Sequence, residues 1–280
     1  MDPLTFMLAV FGCSVAAGVL GSLLGLGGGI IVIPALTLLL GIPIRWAVGA
    51  SIVSVIATSS GAAAAYVREH MTNLRVAMLL EIATTTGALT GAYLSGILGG
   101  RWLFIIFGVI LAYSALAMFR KRHELASENA PPSWLADRLD LHSEYYDRAA
   151  DKHIVYRVTH VPLGFGLMYI AGVVSGLLGI GSGSLKVPAM DLAMRLPIKV
   201  STATSNFMIG VTAAASAGVY FSRGDIDPFI AAPVAAGVLA GATVGSHLLG
   251  RLQSNVIRIV FVIVLLWISG QMLWKGVRMS

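Results

Sequence analysis

The charged residues of this 280-residue chain are crowded into one stretch. Of the 32 charged residues, 14 fall between Arg120 and Arg157, and apolar runs dominate the sequence on both sides. A helix needs about 20 apolar residues to cross the hydrocarbon core of a bilayer, so the flanking parts hold enough sequence for about eight to ten crossings. The charge distribution therefore predicts an all-α polytopic membrane protein.

Composition excludes several other classes of protein. Hydrophobic residues make up 57% of the chain and charged residues only 11%, whereas about 25% of a soluble domain is charged. The single cysteine, Cys13, lies inside an apolar run, which excludes a disulfide scaffold. The low charge density excludes a disordered chain and a nucleic-acid-binding domain. The first apolar run begins at Leu4 with no basic segment before it, so we interpret it as a span and not as a signal peptide.

The charged stretch divides the chain into a first transmembrane repeat at 1–119, a linker at 120–158 and a second transmembrane repeat at 159–280. The polarity of the linker favours a solvated segment, while its interspersed apolar residues also allow a short amphipathic helix at the membrane surface. Basic residues are more numerous on the linker side of the spans, which predicts a cytoplasmic linker and a multi-pass protein of the plasma membrane.

The two apolar parts align with each other when the second is shifted by 154 positions. Four residues separate a glycine-rich run at 25–29 from Pro34, and four residues separate the matching run at 179–183 from Pro188. Further matches at this offset are Pro43 with Pro197, Ser51 with Ser205, Tyr66 with Tyr220, Gly87 with Gly241 and Gly91 with Gly245. So many matches at one offset indicate an internal duplication.

Each repeat contains a full-length span, a glycine-rich break, a short apolar piece and three longer spans. If the short pieces cross the membrane, each repeat has five segments and the repeats are inverted; if they only dip in, each has four and the repeats are parallel. Charge bias does not separate the two arrangements. We favour ten crossings, because a short Gly/Pro-interrupted segment at the same place in both halves is typical of inverted-repeat transporters.

Glycine runs in mid-membrane are costly unless they are buried in protein or line a cavity. A helix that begins just after such a break directs free N–H groups into it, which favours an anion. We therefore predict that the glycines of both breaks line a central site. Scattered glycines such as Gly91, Gly96 and Gly245 are interpreted as helix-packing positions.

The second break is more polar than the first, because Ser182, Ser184, Lys186 and Asp191 replace Gly28, Ile30, Val32 and Thr37. A lysine inside a membrane segment should face a cavity or a partner, and an anionic substrate or Asp191 would serve; snorkelling to the interface is the alternative. Further uncharged donors that suit an oxyanion are Ser51, Thr204, Ser205 and Asn206, although such groups also bond their own helix carbonyls.

Glu81 and His247 lie within apolar runs, and either is a candidate proton-coupling group, as is Asp191. Interfacial positions are the better interpretation for Glu81 and His247, because each lies close in sequence to an arginine. No catalytic set, metal-ligand spacing or nucleotide motif is present, so we expect neither enzymatic activity nor a cofactor.

These motifs resemble the TauE/SafE family of sulfite exporters and sulfonate or organoanion permeases over nearly the whole chain outside the linker. The resemblance is carried by Gly25 to Pro34, Gly49-Ala50-Ser51, Gly179 to Pro188, Ala203 to Asn206, Tyr220 and Gly224 to Asp227. It implies transport of sulfur-containing or carboxylate anions. The chain departs from the family pattern at Ala50, Ser182 and Lys186, which implies an asymmetric site.

We therefore expect a secondary transporter that moves a small anion, such as sulfite or an organosulfonate, by alternating access around a central site. The alternatives are an anion channel on the same spans and a membrane scaffold that acts through its linker. A proton or sodium gradient would supply energy, homodimerisation is left open, and no nucleic-acid partner is expected. The expected substrate-binding residues are Gly27, Gly28, Gly29, Ser51, Gly181, Ser182, Gly183, Ser184, Lys186, Thr204, Ser205 and Asn206.

Overall fold

The fold comes from a computed structural model that describes residues 3–120, 133–147, 151–249, 252 and 254–278. Within those ranges the chain forms eleven α-helices, two π-helical turns and one two-stranded hairpin. The helices are α1 Pro3–Leu24, α2 Gly29–Pro34, α3 Ile44–Arg68, α4 Leu74–Ser95, α5 Gly100–Arg120, α6 Trp134–Arg138, α7 Val161–Leu178, α8 Gly183–Pro188, α9 Ile198–Ser222, α10 Pro228–Leu249 and α11 Ser254–Arg278. The π-helical turns are Ala35–Leu39 and Ala189–Ala193, and the strands are β1 Ser143–Asp147 and β2 Lys152–Tyr156.

Five helices are long and apolar enough to cross a bilayer among the residues described. They lie at Thr5–Leu24, Ile44–Arg68, Val161–Leu178, Pro228–Leu249 and Asn255–Arg278. Many large apolar side chains face outward, for example Met78, Tyr113 and Trp267, which is costly in water and favourable against lipid. The prediction of a helical membrane protein is confirmed, and the antiparallel hairpin is an addition that the sequence did not predict.

The helix breaks occur where the backbone leaves the right-handed region. α1 ends at Leu24, and Gly25, Gly27 and Gly28 then take φ values of 69°, 77° and 68°. The second break repeats this path, except that Ser182 has a φ of 56° where the first break has glycine. Side chains avoid this region, so a serine there is strained and glycine is the usual solution.

α1 packs along α10, and glycines allow the two backbones to approach closely. A Cβ on Gly241 would overlap the carbonyl oxygen of Val15, and one on Gly245, a turn later, would lie 2.6 Å from that of Val19. Residues later in α10 meet residues later in α1, so the two helices are parallel. α4 and α7 form the equivalent parallel pair, in which Gly91 lies against Val173.

α3 and α9 cross the middle of the molecule in opposite directions. Arg45 at the start of α3 lies 3.7 Å from the carboxylate of Asp225, which follows α9. At the other end, the backbone N–H of Asn73, which follows α3, donates to Thr204 near the start of α9 at 3.1 Å. We call the end that carries Arg45 and Asp225 the Arg45 face, and the opposite end, where the hairpin lies, the linker face.

The described part of the linker is folded onto the linker face and is not simply a solvated segment. β1 pairs with β2 in antiparallel register, and Tyr145 and Tyr156 are buried. Asp147 accepts a 2.7 Å hydrogen bond from Lys199 Nζ at the start of α9, and both side chains are buried. The ion pair attaches the hairpin to α9, while Tyr156 accepts a 3.1 Å hydrogen bond from Asn73 Nδ2 just before α4, so the hairpin contacts both halves of the chain. The basic segment after α5, at 121–132, lies outside the described residues.

Candidate functional site

The two glycine-rich breaks meet each other at the centre of the molecule. A Cβ on Gly183 would overlap the carbonyl oxygen of Gly25, and one on Gly29 would lie 3.4 Å from the Cα of Ile180. Only glycine allows the backbones to approach this closely at Gly183, whereas at Gly29 an added Cβ would overlap Ser51 Oγ on α3.

Each break is tied to the central helix of the other half. Ser51 on α3 donates to the Gly179 carbonyl at 2.8 Å, and Ser205 on α9 donates to the Gly25 carbonyl at 2.8 Å. The two bonds are related by the 154-residue offset, and they satisfy carbonyls that the ends of α1 and α7 leave without helical partners. Ser51 and Ser205 therefore hold the breaks in place in this conformation.

Two tyrosines bond the last turn of the helix that precedes each break. Tyr66 donates to the Ser22 carbonyl at 3.0 Å, and Tyr220 donates to the Gly176 carbonyl at 2.7 Å. Their match at the repeat offset was visible in the sequence, but no role for them was predicted. Asn206 Nδ2 also donates to Ser22 O, at 2.7 Å, so this candidate site residue lies at the first break.

Branched apolar side chains fill the space between the breaks. A Cβ on Gly27 would lie 2.6 Å from Cδ1 of Ile209, and one on Gly181 would lie 2.7 Å from Cγ1 of Val55. Val55 and Ile209 are themselves related by the repeat offset. In this conformation the glycines therefore contact protein atoms, and a ligand would need Val55 and Ile209 to move apart.

Several buried side-chain oxygens around the breaks have no hydrogen-bond partner within the described part of the chain. They belong to Ser175, Ser184, Thr202 and Asn206, all in the second half of the chain. A buried polar atom without a partner costs about 1–3 kcal/mol, so a cluster of them marks a place where a ligand or water gains hydrogen bonds. Thr202 lies one turn before Asn206 on α9 and was not selected from the sequence.

The hydroxyl groups of two other predicted site residues already make hydrogen bonds within the protein. Thr204 Oγ1 accepts from the backbone N–H of Asn73, and Ser182 Oγ donates to the carbonyl of Gly181 at 2.8 Å. Gly28 lies beside Thr58 Oγ1, where an added Cβ would come within 3.1 Å. These residues surround the breaks, but their polar groups serve the protein in this conformation.

Lys186 has a partner that sequence reasoning did not assign to it. Its Nζ is completely buried, donates to Thr212 Oγ1 at 2.6 Å and lies 4.0 Å from Glu81 Oε2. Thr212 in turn donates to Glu81 Oε1 at 2.7 Å. Glu81 is 8% exposed, so its side chain lies inside the protein beside Lys186 and does not extend to the surface. Its long distance in sequence from Lys186 hid the pairing.

The remaining two candidate coupling residues are Asp191 and His247. Asp191 is buried on the π-helical turn that follows α8. His247 is exposed on α10, and its ring nitrogen lies 2.7 Å from the carbonyl oxygen of Thr243. Of the glycines interpreted as packing positions, Gly91 and Gly245 do lie in helix contacts, whereas Gly96 lies against the guanidinium group of Arg223.

A polar cavity opens at each end of the central helix pair. The cavity on the Arg45 face has a volume of about 260 Å³ and is lined in part by Arg45, Tyr220 and Arg223. The cavity on the linker face has a volume of about 230 Å³ and is lined in part by Glu69 and Lys199. Lys199 is the residue that the repeat offset relates to Arg45, so the cavities lie at equivalent places in the two halves.

These features define a helical membrane protein with two broken helices that meet between polar cavities on opposite faces. The chain belongs to the sulfite exporter TauE/SafE family, whose family model matches residues 10–272. That family is a membrane transporter family, and membership is consistent with a protein that is not an enzyme. The predicted resemblance is confirmed.

Relatives of the chain carry transporter names. It is 27% identical over 268 residues to the probable membrane transporter protein YunE of Bacillus subtilis (strain 168), covering 93% of this chain and 95% of YunE. It is 24% identical over 273 residues to a probable membrane transporter protein of Xylella fastidiosa (strain 9a5c), covering 96% of each chain. No solved structure matches the chain significantly.

Proposed function

We propose that the protein is a secondary transporter of small anions, such as sulfite, organosulfonates or related organic oxyanions, and that it works by alternating access. The observation that carries this proposal is the meeting of the two broken helices, each bonded through a serine to the central helix of the other half. Family membership supports membrane transport, and the free N–H groups and positive dipole ends expected at such breaks favour an anion.

The helix directions support two inverted repeats of five segments each. α3 and α9 begin at Ile44 and Ile198, which are 154 residues apart, and they run antiparallel. Inversion of the second half requires an odd number of segments in each half, and that condition is met when α2 and α8 are counted with the four long helices. With the linker in the cytoplasm, as its basic residues favour, the Arg45 face is the outer face of the plasma membrane.

The substrate would bind between the breaks once Val55 and Ile209 separate. The glycines at 27–29, together with Gly181 and Gly183, would let the backbone approach the anion closely. Hydrogen bonds would come from Ser184 and Asn206, whose buried oxygens lack partners, with Thr202 added to the predicted set. Ser51, Ser182, Thr204 and Ser205 would take part only if their present bonds rearrange.

The filled centre favours a carrier over an anion channel. A channel needs a continuous path for ions, whereas among the described residues neither cavity is lined by a residue of the breaks, and Val55 and Ile209 fill the space beside Gly27 and Gly181. In a carrier each cavity would extend to the breaks in turn as one half rocks against the other.

The experiment is exchange of labelled sulfite, sulfoacetate and simple carboxylates in proteoliposomes, comparing Gly29→Ala with Gly166→Ala. A Cβ on Gly29 would overlap Ser51 Oγ, whereas Gly166 has no atom within 4 Å of the added carbon. We expect at least tenfold slower exchange for Gly29→Ala and wild-type rates for Gly166→Ala, with both variants monodisperse in detergent. Equal rates in all three proteins, or no flux of any anion in wild type, would reject the central-site proposal.

A further inference from the structure

Glu81, Thr212 and Lys186 form a buried polar chain between α4, α9 and α8. Lys186 Nζ donates to Thr212 at 2.6 Å, and Thr212 and Thr85 lie 2.7 Å and 3.0 Å from Glu81 Oε1. Glu81 Oε2 has no hydrogen-bond partner among the residues that the structure describes, and it lies 4.0 Å from Lys186 Nζ. The carboxylate is thus held firmly by one oxygen, while the other is free to accept a proton.

The fold does not need these charges for packing, because the equivalent place in the other half lacks them. The repeat offset relates Glu81, Lys186 and Thr212 to Ala235, Val32 and Thr58. Val32 is buried in an apolar cluster with Val234 and Val238, and Thr58 donates to the Ser54 carbonyl of its own helix at 2.8 Å. Burying a charged pair costs several kcal/mol in desolvation. Because only one of the two equivalent helix contacts carries such a pair, the pair indicates a function.

We propose that Glu81 and Lys186 are the coupling site of the transporter, at which a proton binds so that proton and anion travel together. This proposal rests on the function proposed above and names its coupling ion. Lys186 lies one turn after Gly183, which touches the first break, so rearrangement of the breaks moves Lys186 relative to Glu81.

Charge balance explains why the proton and the anion would bind to the transporter together. With Glu81 ionised, its negative charge compensates the ammonium group of Lys186. A proton taken from the aqueous side forms an O–H bond at Oε2 and leaves Lys186 as a buried, uncompensated cation, which is unfavourable in the membrane interior. An anion bound at the breaks restores neutrality. The loaded state thus holds proton and anion together, and the empty state holds neither.

The surroundings favour a proton over sodium, because the ammonium group of Lys186 already stands beside the carboxylate where a metal cation would bind. α7, which packs against both α4 and α8, contains no charged residue or histidine. The charged groups on the other neighbouring elements are Arg75 at the start of α4, paired with Asp140; Lys199 on α9, paired with Asp147; Asp191 after α8; and Arg101 and Arg120 at the ends of α5.

The test uses Glu81→Gln in proteoliposomes, with whichever of methanesulfonate and sulfoacetate wild type exchanges as the labelled probe, or sulfite if neither is exchanged. An imposed gradient of one pH unit should drive up to about tenfold accumulation of a monovalent anion in wild type if one proton is carried per anion. Glu81→Gln, which mimics the protonated carboxyl group, should keep anion exchange but lose accumulation and the dependence of exchange on pH. Lys186→Met should lose exchange, and Glu81→Gln/Lys186→Met should fold without restoring it.

Thr212→Ala and Thr58→Ala form a matched control pair. Thr212→Ala removes the hydroxyl between the charges and should reduce pH-driven accumulation severalfold, while Thr58→Ala at the equivalent uncharged place should leave it unchanged. The coupling proposal alone would be overturned if Glu81→Gln exchanged anions with the same pH dependence as wild type. It would also be overturned if a sodium gradient, and not a pH gradient, drove accumulation. Absence of exchange in wild type would overturn it together with the proposed function.

Discussion

Ser51 and Ser205 show how single hydroxyl groups organise the centre of this protein. Each donates to a carbonyl of the other half's break, and in a membrane interior no water is available to replace that bond. The two serines were predicted as ligands for an anion, and the structure assigns them a bond to the backbone. Both roles are compatible only if the breaks move during transport.

Replacing either serine with alanine should destabilise the folded protein. Ser51→Ala or Ser205→Ala leaves a buried carbonyl without a partner, which costs about 1–3 kcal/mol. Thermal unfolding in detergent should show a lower midpoint for each variant. Ser60→Ala serves as the control, because Ser60 is exposed and bonds only its own helix; a midpoint shift as large as that of Ser205→Ala would contradict the cross-bond argument.

Helix pairs in this protein are defined by glycine contacts between the halves. α1 packs on α10 and α4 packs on α7, so the first helix of each half lies against the third long helix of the other half. Small residues allow such close packing in membranes, where the hydrophobic effect does not drive helices together. The predicted packing role of Gly91 and Gly245 is confirmed by their position in these contacts.

Alanine at these glycines should weaken the helix pairs. A Cβ on Gly91 would overlap the Val173 carbonyl oxygen, and one on Gly241 would overlap that of Val15. Overpacking of this kind costs about 1–3 kcal/mol, so we expect lower unfolding midpoints for Gly91→Ala and Gly241→Ala. Gly218→Ala, whose added carbon meets nothing within 4 Å, should be neutral or slightly stabilising; equal losses in all three variants would argue against contact packing.

The linker hairpin packs against the transmembrane helices at the linker face. Asp147 of the hairpin pairs with Lys199. The repeat offset relates Lys199 to Arg45, and Arg45 pairs with Asp225, which follows α9 and does not belong to the linker. The ion pair on the linker face is buried, whereas the side chain of Arg45 is 69% exposed. The two faces therefore differ, because the linker covers only one of two otherwise equivalent ends.

Breaking the Asp147–Lys199 pair should loosen the hairpin. Removing one partner of a buried ion pair costs about 3–5 kcal/mol, whereas removing both is often neutral. We expect Lys199→Met to increase hydrogen exchange in β1 and β2, and Asp147→Asn/Lys199→Met to recover part of the protection. Arg45→Met at the exposed pair should leave the hairpin unchanged; if Lys199→Met has equally little effect, the ion pair does not hold the hairpin.

Local sequence sufficed for the class of the protein and for the position of its helix breaks, because apolar length, glycine runs and prolines act on the nearest few residues. Membrane embedding and the location of the breaks follow from those patterns alone. The partner of Lys186, the carbonyls that Ser51 and Ser205 reach and the docking of the hairpin follow no local rule. Each joins residues far apart in the chain, so each depends on how the halves pack. The sequence around Glu81 is compatible with a position at the membrane interface or in the protein core. Only the contact between α4, α8 and α9 places Glu81 beside Lys186.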